Sequence, residues 1–170
     1  MDSELPVEVQ RQVHAAEGWL GLGSIASAME ELDEIPAAVR THPKVLMTRL
    51  LIYFEAKKWE ACLDVADAVV RTAPQMKNAW IYRSFALHEL KRTQDAYDLI
   101  LPAVKRFKSA WLIPYNLACY CCQLGRIEES EKWLTDAILL GGNEAKLSAI
   151  DDKDLEPLWQ SRNRSKWKAT

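Results

Sequence analysis

Apolar and small residues recur along this chain in the same order, at a fixed offset of 34 positions. The two clearest copies are NAWIYRSFALHELKRTQDAY, residues 78–97, and LIPYNLACYCCQLGRIEESE, residues 112–131. Overlaying them aligns Ser84 with Ala118, Leu87 with Cys121, Leu90 with Leu124 and Ala96 with Ser130. An offset of this length indicates stacked structural units that share a core with their neighbours.

The same offset continues towards the N-terminus, so the pattern predicts four units. They cover residues 9–42, 43–76, 77–110 and 111–142. Two apolar stripes with a period of about 3.6 residues predict a pair of amphipathic helices in each unit. The predicted pairs are 6–21 with 24–38, 44–56 with 59–72, 77–90 with 94–107, and 111–123 with 127–140. The turns within the pairs are expected at the aligned positions Gly23, Lys57, Lys91 and Gly125.

The repeat stops at the glycine pair that ends at Gly142. In residues 143–160 the sequences EAKLSAI and DKDLEPLW predict two short capping helices. Either Asp151 or Asp152 can N-cap the second of them. A cap is physically required, because the last unit would otherwise expose its apolar flank to water. The residues expected on the apolar side of this cap are Leu155, Leu158 and Trp159.

Composition narrows the class of protein. With 49% apolar and 27% charged residues the chain is typical of soluble globular proteins, and six glycines are few for a β-rich one. The net charge of −2 gives no overall attraction to nucleic acid or anionic membranes. The N-terminus is no secretory signal, and no window approaches the roughly 18 apolar residues of a membrane helix. Four cysteines, three of them in one predicted helix, favour reduced and buried thiols in the cytoplasm.

The repeated residues resemble the signature of the tetratricopeptide repeat, in its bacterial form. The third unit supplies Trp80, Ser84, Leu87, Ala96, Ile100 and Ala103, and the fourth supplies Leu117, Ala118, Gly125, Ser130, Leu134 and Ala137. Pro74 stands where the family places a proline, whereas Leu50 stands where the family has a small residue. The register of the repeat assigns Trp19 and Trp80 to the core. The resemblance covers about four-fifths of the chain. It implies an all-α fold, a right-handed superhelix (α-solenoid) of about four helix-turn-helix units with a C-terminal capping helix.

In that family the first helix of each unit lines a concave groove that holds a peptide or a partner's helix. The matching residues here are Met47, Leu51, Phe54, Asn78, Ile81, Tyr82, Phe85, His88, Leu112, Tyr115, Asn116, Cys119 and Cys122. This set is mainly apolar and aromatic, and it lacks the basic clamp with which the best-known members hold acidic C-terminal tails. The aromatic rings of Phe54, Tyr82, Phe85 and Tyr115 are the expected anchors.

The resemblance therefore implies a protein–protein interaction scaffold or adaptor without catalysis. Its expected partner is a peptide or protein that presents an amphipathic helix or an apolar extended segment. The alternative is a self-associating structural protein, a homodimer or larger homo-oligomer in which another copy fills the groove. The C-terminal helices of the same chain are a further candidate occupant of the groove, and removing residues 151–170 would then expose the binding surface.

Three features suggest other chemistry more weakly. Cys119 and Cys122 lie one helical turn apart and His88 lies in the preceding unit, but a structural zinc site needs a fourth ligand and no second cysteine pair stands opposite. The segment GWLGLGS, residues 18–24, resembles a phosphate-binding loop, yet it follows a predicted helix and has no lysine. None of the three histidines belongs to a recognisable catalytic motif. We expect no metal, no cofactor and no enzyme activity.

The last residues, 161–170, contain four bases and no acid, and a mobile tail is expected there. Bases alternate with Trp159 and Trp167, which could stack on nucleobases or lie at a membrane surface. A solvated tail is the more common outcome for such a composition. Neither nucleic acid nor membrane is therefore expected as a partner.

Overall fold

The computed structural model describes residues 4–161, and this part of the chain is built from α-helices without a β-strand. The helices are α1 Val7–Gly21, α2 Ile25–Asp33, α3 Pro43–Glu55, α4 Trp59–Thr72, α5 Lys77–Glu89, α6 Thr93–Arg106, α7 Leu112–Gln123, α8 Ile127–Ile150 and α9 Glu156–Ser161. Two 3-10 turns, Ala37–Val39 and Lys153–Leu155, complete them. The predicted all-α class is confirmed. The tail expected at 161–170 lies, beyond Ser161, outside the described residues.

The chain divides into two compact units, called unit 1 and unit 2, which are larger than the four repeat units predicted from the sequence. Unit 1 extends to Ala86 and unit 2 begins at Leu87, so that α5 contributes to both. Unit 1 contains the helix pairs α1–α2 and α3–α4, and unit 2 contains α6, the pair α7–α8 and the short helix α9. The four-repeat boundaries derived from the sequence stay predictions.

Each helix pair turns through one residue with a left-handed backbone. These residues are Gly23, Lys57, Lys91 and Gly125, with φ of 79°, 53°, 64° and 76°. They stand at the predicted positions, which confirms the register of the repeat. The following N–H donates to a carbonyl five residues earlier, as from Lys58 to Tyr53 at 2.9 Å and from Arg126 to Cys121 at 2.8 Å. This bond closes the last turn of the first helix and directs the chain into the second.

Small residues occupy the aligned buried positions of the helices. The aligned positions of the second helices hold Ala28, Cys62, Ala96 and Ser130, and all four are fully buried. Ala16, Ser84 and Ala118 on the first helices are buried equally. In the last pair the Ser130 hydroxyl donates to the carbonyl of Ala118 at 2.7 Å, so backbone and side chain are in direct contact. Larger side chains at these positions would separate the helices.

Two expectations about the first pair are wrong. The second helix was expected over 24–38, but α2 ends at Asp33 because Pro36 lacks an N–H and disfavours helical backbone at Ile35. The Arg40 side chain donates to the carbonyls of Ile35 and Asp33 at 2.6 and 2.8 Å and completes the helix end. Trp19 is 41% exposed rather than in the core. Its indole N–H donates to the Glu31 carboxylate at 3.3 Å. A charged carboxylate is stable only near solvent, which accounts for the exposure of its Trp19 partner.

The C-terminal segment, residues 143–161, begins at a break in α8. Gly142 has φ 55° and ψ −131°, which are not helical angles, so EAKLSAI forms a short helix that this break separates from the helix beginning at Ile127. DKDLEPLW forms the 3-10 turn and α9, and Asp152 is the N-cap, because its side chain accepts from the Asp154 N–H at 2.9 Å. The predicted apolar side of the cap, Leu155, Leu158 and Trp159, is buried.

The left-handed turns give a test of the fold. Lys91→Gly should raise the free energy of unfolding by about 0.5–1 kcal/mol, because glycine relieves the strain of φ 64°. The greater entropy of glycine in the unfolded state offsets only part of this stabilisation. Gly125→Ala should lower it by about 1 kcal/mol, since no atom crowds that position and strain alone acts. Urea unfolding followed by circular dichroism measures both. If both variants changed the free energy of unfolding by the same amount in the same direction, the result would contradict the assigned turns.

Candidate functional site

The groove residues predicted from the sequence fall in both units. In unit 1, α3 carries Met47, Leu51 and Phe54, and α5 carries Asn78, Ile81, Tyr82 and Phe85. Their spacings of three and four residues place them on one face of each helix. Met47 and Ile81 are buried, and Asn78 is exposed. The other four are half-buried, so each leaves part of its apolar surface open to solvent.

A cluster of four aromatic rings dominates this surface. The centroid of Phe54 lies 4.7 Å from that of Tyr82, 5.1 Å from that of Phe85 and 5.7 Å from that of Trp59. Trp59 also lies 5.7 Å from Phe85. The planes are inclined by 54–72°, the tilted and edge-to-face arrangements that aromatic pairs favour. We call Leu51, Phe54, Trp59, Tyr82 and Phe85 the aromatic surface of unit 1.

One acid adjoins the aromatic surface. Burial raises the pKa of the Tyr82 phenol, and the negative charge of Glu55 raises it further. Glu55 itself is exposed, and it follows Phe54 at the end of α3. The aromatic surface thus combines apolar rings with an accessible carboxylate at its margin.

The predicted residues of unit 2 have a different environment, because the C-terminal segment lies on α7. His88, Tyr115, Cys119 and Cys122 are all buried, whereas Asn116 is partly exposed and Leu112 is 40% exposed. Both the 3-10 turn and α9 contact α7, and α9 also contacts α8. We call His88, Tyr115, Cys119, Cys122 and Gln123 the α7 surface.

Two carboxylates fix the C-terminal segment on the α7 surface. Asp152 accepts hydrogen bonds from the Tyr115 hydroxyl at 2.6 Å and from the Cys119 thiol at 3.7 Å. Asp154 lies 3.2 Å from His88 Nε2, and the opposite ring nitrogen of His88 lies 3.0 Å from the Thr93 hydroxyl.

Further contacts of the same segment are made by backbone and apolar groups. The Gln123 amide donates to the Asp154 carbonyl at 2.8 Å. Leu155 and Leu158 are fully buried, and the backbone of Leu158 is hydrogen-bonded to the Cys122 thiol. The segment is therefore bound to α7 in the way a peptide ligand is bound, with polar groups that fix its register and leucines that supply buried area.

Burial makes the thiols inert. Cys62, Cys119, Cys121 and Cys122 are all buried and unbridged. Burial raises the pKa of Cys62 and of Cys121 to about 12, and it raises those of Cys119 and Cys122 as well, with the Asp152 and Asp154 carboxylates adding to the effect. A thiol held in its protonated form is a poor nucleophile and a poor metal ligand.

Within residues 4–161, no group of three His, Cys, Asp or Glu side chains is arranged to hold a metal ion. None of the described helices combines the length and the apolar character needed to cross a bilayer. Among the surface pockets is one of about 450 Å³ beside the start of α3 in unit 1, and another of about 270 Å³ between α6, α7 and α8 in unit 2. Neither is lined by the predicted groove residues.

Three residues of these two surfaces and their contacts were missed by the sequence pattern. Trp59 belongs to the second helix of its pair, where the family pattern places no groove residue, but its position five residues after Phe54 across a tight turn is a usable signal. The sequence pattern offers Asp152 only as a helix cap and gives Asp154 no role. Their contacts with Tyr115 and His88 span 37 and 66 residues, and no local pattern reports such separations.

Comparison with known proteins places the fold. No protein-family model and no curated protein matches the sequence. Among solved structures, MamA MSR-1 is 20% identical with a TM-score of 0.70 over 80% of this chain and 78% of that chain. MamA from Desulfovibrio magneticus RS-1 is 13% identical with a TM-score of 0.75 over 97% of both chains. TTC0263, a thermophilic TPR protein in Thermus thermophilus, is 15% identical with a TM-score of 0.72 over 94% and 85%. The tetratricopeptide-repeat fold predicted from the sequence is confirmed.

The thiols provide a chemical test of this burial. At pH 8 the native chain should release almost no thionitrobenzoate from Ellman's reagent within minutes, because all four thiols are buried and protonated. In guanidinium chloride all four should react at once. A thiol that reacts rapidly in the native chain would contradict the closed α7 surface or the core of unit 1, and peptide mapping would identify which.

The same groups make stability depend on pH. The folded pKa of Cys62 and of Cys121, about 12, exceeds the ordinary value of 9.0, so the folded chain retains protons that the unfolded chain releases. Their contribution is complete below about pH 9 and should be lost as the pH rises towards 12. Urea midpoints measured from pH 8 to 11 should fall, and the fall should be smaller in Cys62→Ala. An identical slope in that variant would contradict the assignment.

Proposed function

We propose that this chain, which has the tetratricopeptide-repeat fold, is a non-catalytic interaction scaffold that binds a peptide or partner helix on the aromatic surface of unit 1. The observation that carries the proposal is the half-exposed cluster of Phe54, Trp59, Tyr82 and Phe85. The rings restrain one another through contacts of 4.7–5.7 Å, so little side-chain freedom is lost on binding. Large rigid aromatic side chains dominate the energy of protein interfaces.

The chemistry of the surface defines the partner. Leu51 and the four rings offer apolar contact, while Asn78 offers an exposed amide on the same face of α5. Glu55 offers a carboxylate next to Tyr82, which favours a ligand with a basic residue beside its apolar ones. An amphipathic helix with leucine or aromatic anchors three or four positions apart and a lysine or arginine at its edge satisfies both conditions.

The self-association alternative concerns unit 2, whose α7 surface accepts a segment that a second copy of the chain also carries. The α7 surface is already covered by residues of the chain itself, so a ligand reaches it only by replacing them. Of the predicted groove residues, those of unit 1 are therefore the ones we propose for a foreign partner. A reducing compartment such as the cytoplasm suits the four free thiols and is part of this proposal.

The aromatic surface is tested by double truncation. Peptides selected on the immobilised full-length chain from a random displayed library should bind the Tyr82→Ala/Phe85→Ala variant at least about 30-fold more weakly, the loss expected when an interface anchor worth about 2 kcal/mol is removed. Fluorescence anisotropy with labelled peptide measures the affinities. Selected peptides should be enriched in basic residues, and Glu55→Lys should weaken them further.

Two matched variants control this experiment. Tyr82→Phe keeps the ring and its stacking on Phe54, so binding should stay within a few-fold of the native value. Trp19→Ala removes an exposed aromatic ring of unit 1 that lies outside the cluster and should change nothing. Circular dichroism confirms that the double variant is folded. Peptides that bind a folded double variant as tightly as the native chain would refute the assignment.

A further inference from the structure

We propose that the C-terminal segment is exchanged between two copies of this chain, so that residues 143–161 of each copy occupy the α7 surface of the other. The inference rests on the self-association alternative and concerns unit 2 alone, independently of the aromatic surface of unit 1. The partner is a second copy of the chain, and it contributes Asp152, Asp154 and the buried leucines to a site that is incomplete without such a segment.

The contacts of the segment are specific and transferable. Asp152 binds Tyr115 and Cys119, Asp154 binds His88, and the Asp154 carbonyl binds Gln123. Each contact joins the segment to α7 or to the end of α5, and each can form identically when the segment belongs to another molecule. Exchange therefore keeps the buried contacts, and its main cost is the entropy lost when two chains associate. This makes exchange a low-cost route to a dimer.

The segment is attached to the rest of unit 2 through one unusual backbone conformation. Gly142 has φ 55° and ψ −131° in a stretch that is otherwise helical from Ile127 to Ile150. An L-amino acid rarely adopts these angles, and glycine adopts them freely. If Gly142 took helical angles, α8 would continue straight and direct residues 143–161 away from the α7 surface of their own chain. The joint thus has two available states, a folded-back one and an extended one.

The segment is also coherent enough to move as a unit. The Trp159 indole N–H donates to the Ala149 carbonyl at 3.1 Å, and this buried bond ties α9 to the last turn of α8. Because both partners lie beyond Gly142, the bond survives a change at the joint. The 3-10 turn capped by Asp152 lies between them and is retained as well.

Exposed leucines surround the joint. Leu139, Leu140 and Leu147 are 79%, 48% and 70% exposed, although each lies within five residues of Gly142. Leu139 and Leu140 also line the 270 Å³ pocket that contains Trp133 and Pro114. Two chains that exchange segments cross near Gly142 and bring these apolar side chains together. Burial of this patch in the dimer supplies a driving force that the monomer lacks.

A designed disulfide distinguishes the two connections. The thiol of Cys119 lies 3.7 Å from an Asp152 side-chain oxygen, so Asp152→Cys brings two thiols together on the α7 surface. After oxidation of the full-length variant, non-reducing denaturing electrophoresis separates a link within one chain from a link between two. We expect covalent dimers whose share rises with protein concentration before oxidation. Adding Cys119→Ser should abolish them, which excludes links through Cys121 or Cys122.

A second variant tests the joint without cysteine chemistry. Gly142→Ala strains the folded-back state and favours a straight helix, and no neighbouring atom crowds the added methyl group. Light scattering should show twice the monomer mass for this variant at concentrations where the native chain is partly monomeric. In the Gly142→Ala background nearly all Asp152→Cys links should join two chains.

Three outcomes would overturn the exchange. A folded Gly142→Ala variant that stays monomeric at all concentrations would show that the joint does not open. Links only within single chains, in both backgrounds, would show that the segment stays on its own molecule. Dimers detected by light scattering but linked only within chains would show self-association through another surface. None of these results bears on peptide binding by unit 1.

Discussion

The close approach of paired helices is the constraint on which the rest of this structure depends. The aligned positions Ala28, Cys62, Ala96 and Ser130 are all fully buried, and α1 with α2, α3 with α4 and α7 with α8 are in contact, so only a small residue fits there. The contact is close enough for the Ser130 hydroxyl to reach the Ala118 carbonyl at 2.7 Å. The left-handed residue in the turn of each pair delivers the chain to this crossing. With the crossing fixed, the outward faces of the first helices are fixed as well.

Equivalent faces of α3 and α7 have different consequences. On α3 the face carries Leu51 and Phe54, and the Phe54 ring packs against those of Trp59, Tyr82 and Phe85 in a cluster that remains half-exposed. On α7 the face carries Tyr115, Cys119 and Cys122, and the chain's own C-terminal segment covers it. One surface is therefore available to another molecule as it stands. The other shows directly which chemistry it accepts, acidic residues followed by leucines and a tryptophan.

On the α7 surface, apolar groups supply most of the stabilisation of the C-terminal segment, and polar groups fix its register. Leu155 and Leu158 are fully buried, and each contributes about 1.5–3 kcal/mol through the area removed from water. Hydrogen bonds from Tyr115 to Asp152 and from Gln123 to the Asp154 carbonyl add about 1 kcal/mol or slightly more each, but they fix the register of the segment. Burial raises the pKa of Cys119 and the same carboxylates raise it further, so the arrangement that holds the segment also keeps the thiol protonated.

The sequence by itself determined the helical class, the 34-residue register and the positions of the turns, because each depends on short-range spacing. It also identified Leu155, Leu158 and Trp159 as a buried cap, since their apolar character has no other use. It misplaced Trp19, whose exposure depends on Glu31 across a turn, and it misplaced the end of α2, where Pro36 ends the helix against the apolar periodicity. Only the tertiary structure decided that Trp59 joins the ring cluster and that Asp152 and Asp154 cover the α7 surface. Those contacts join residues far apart in the chain. They are selected by side-chain geometry in three dimensions, and periodicity along the sequence does not encode that geometry.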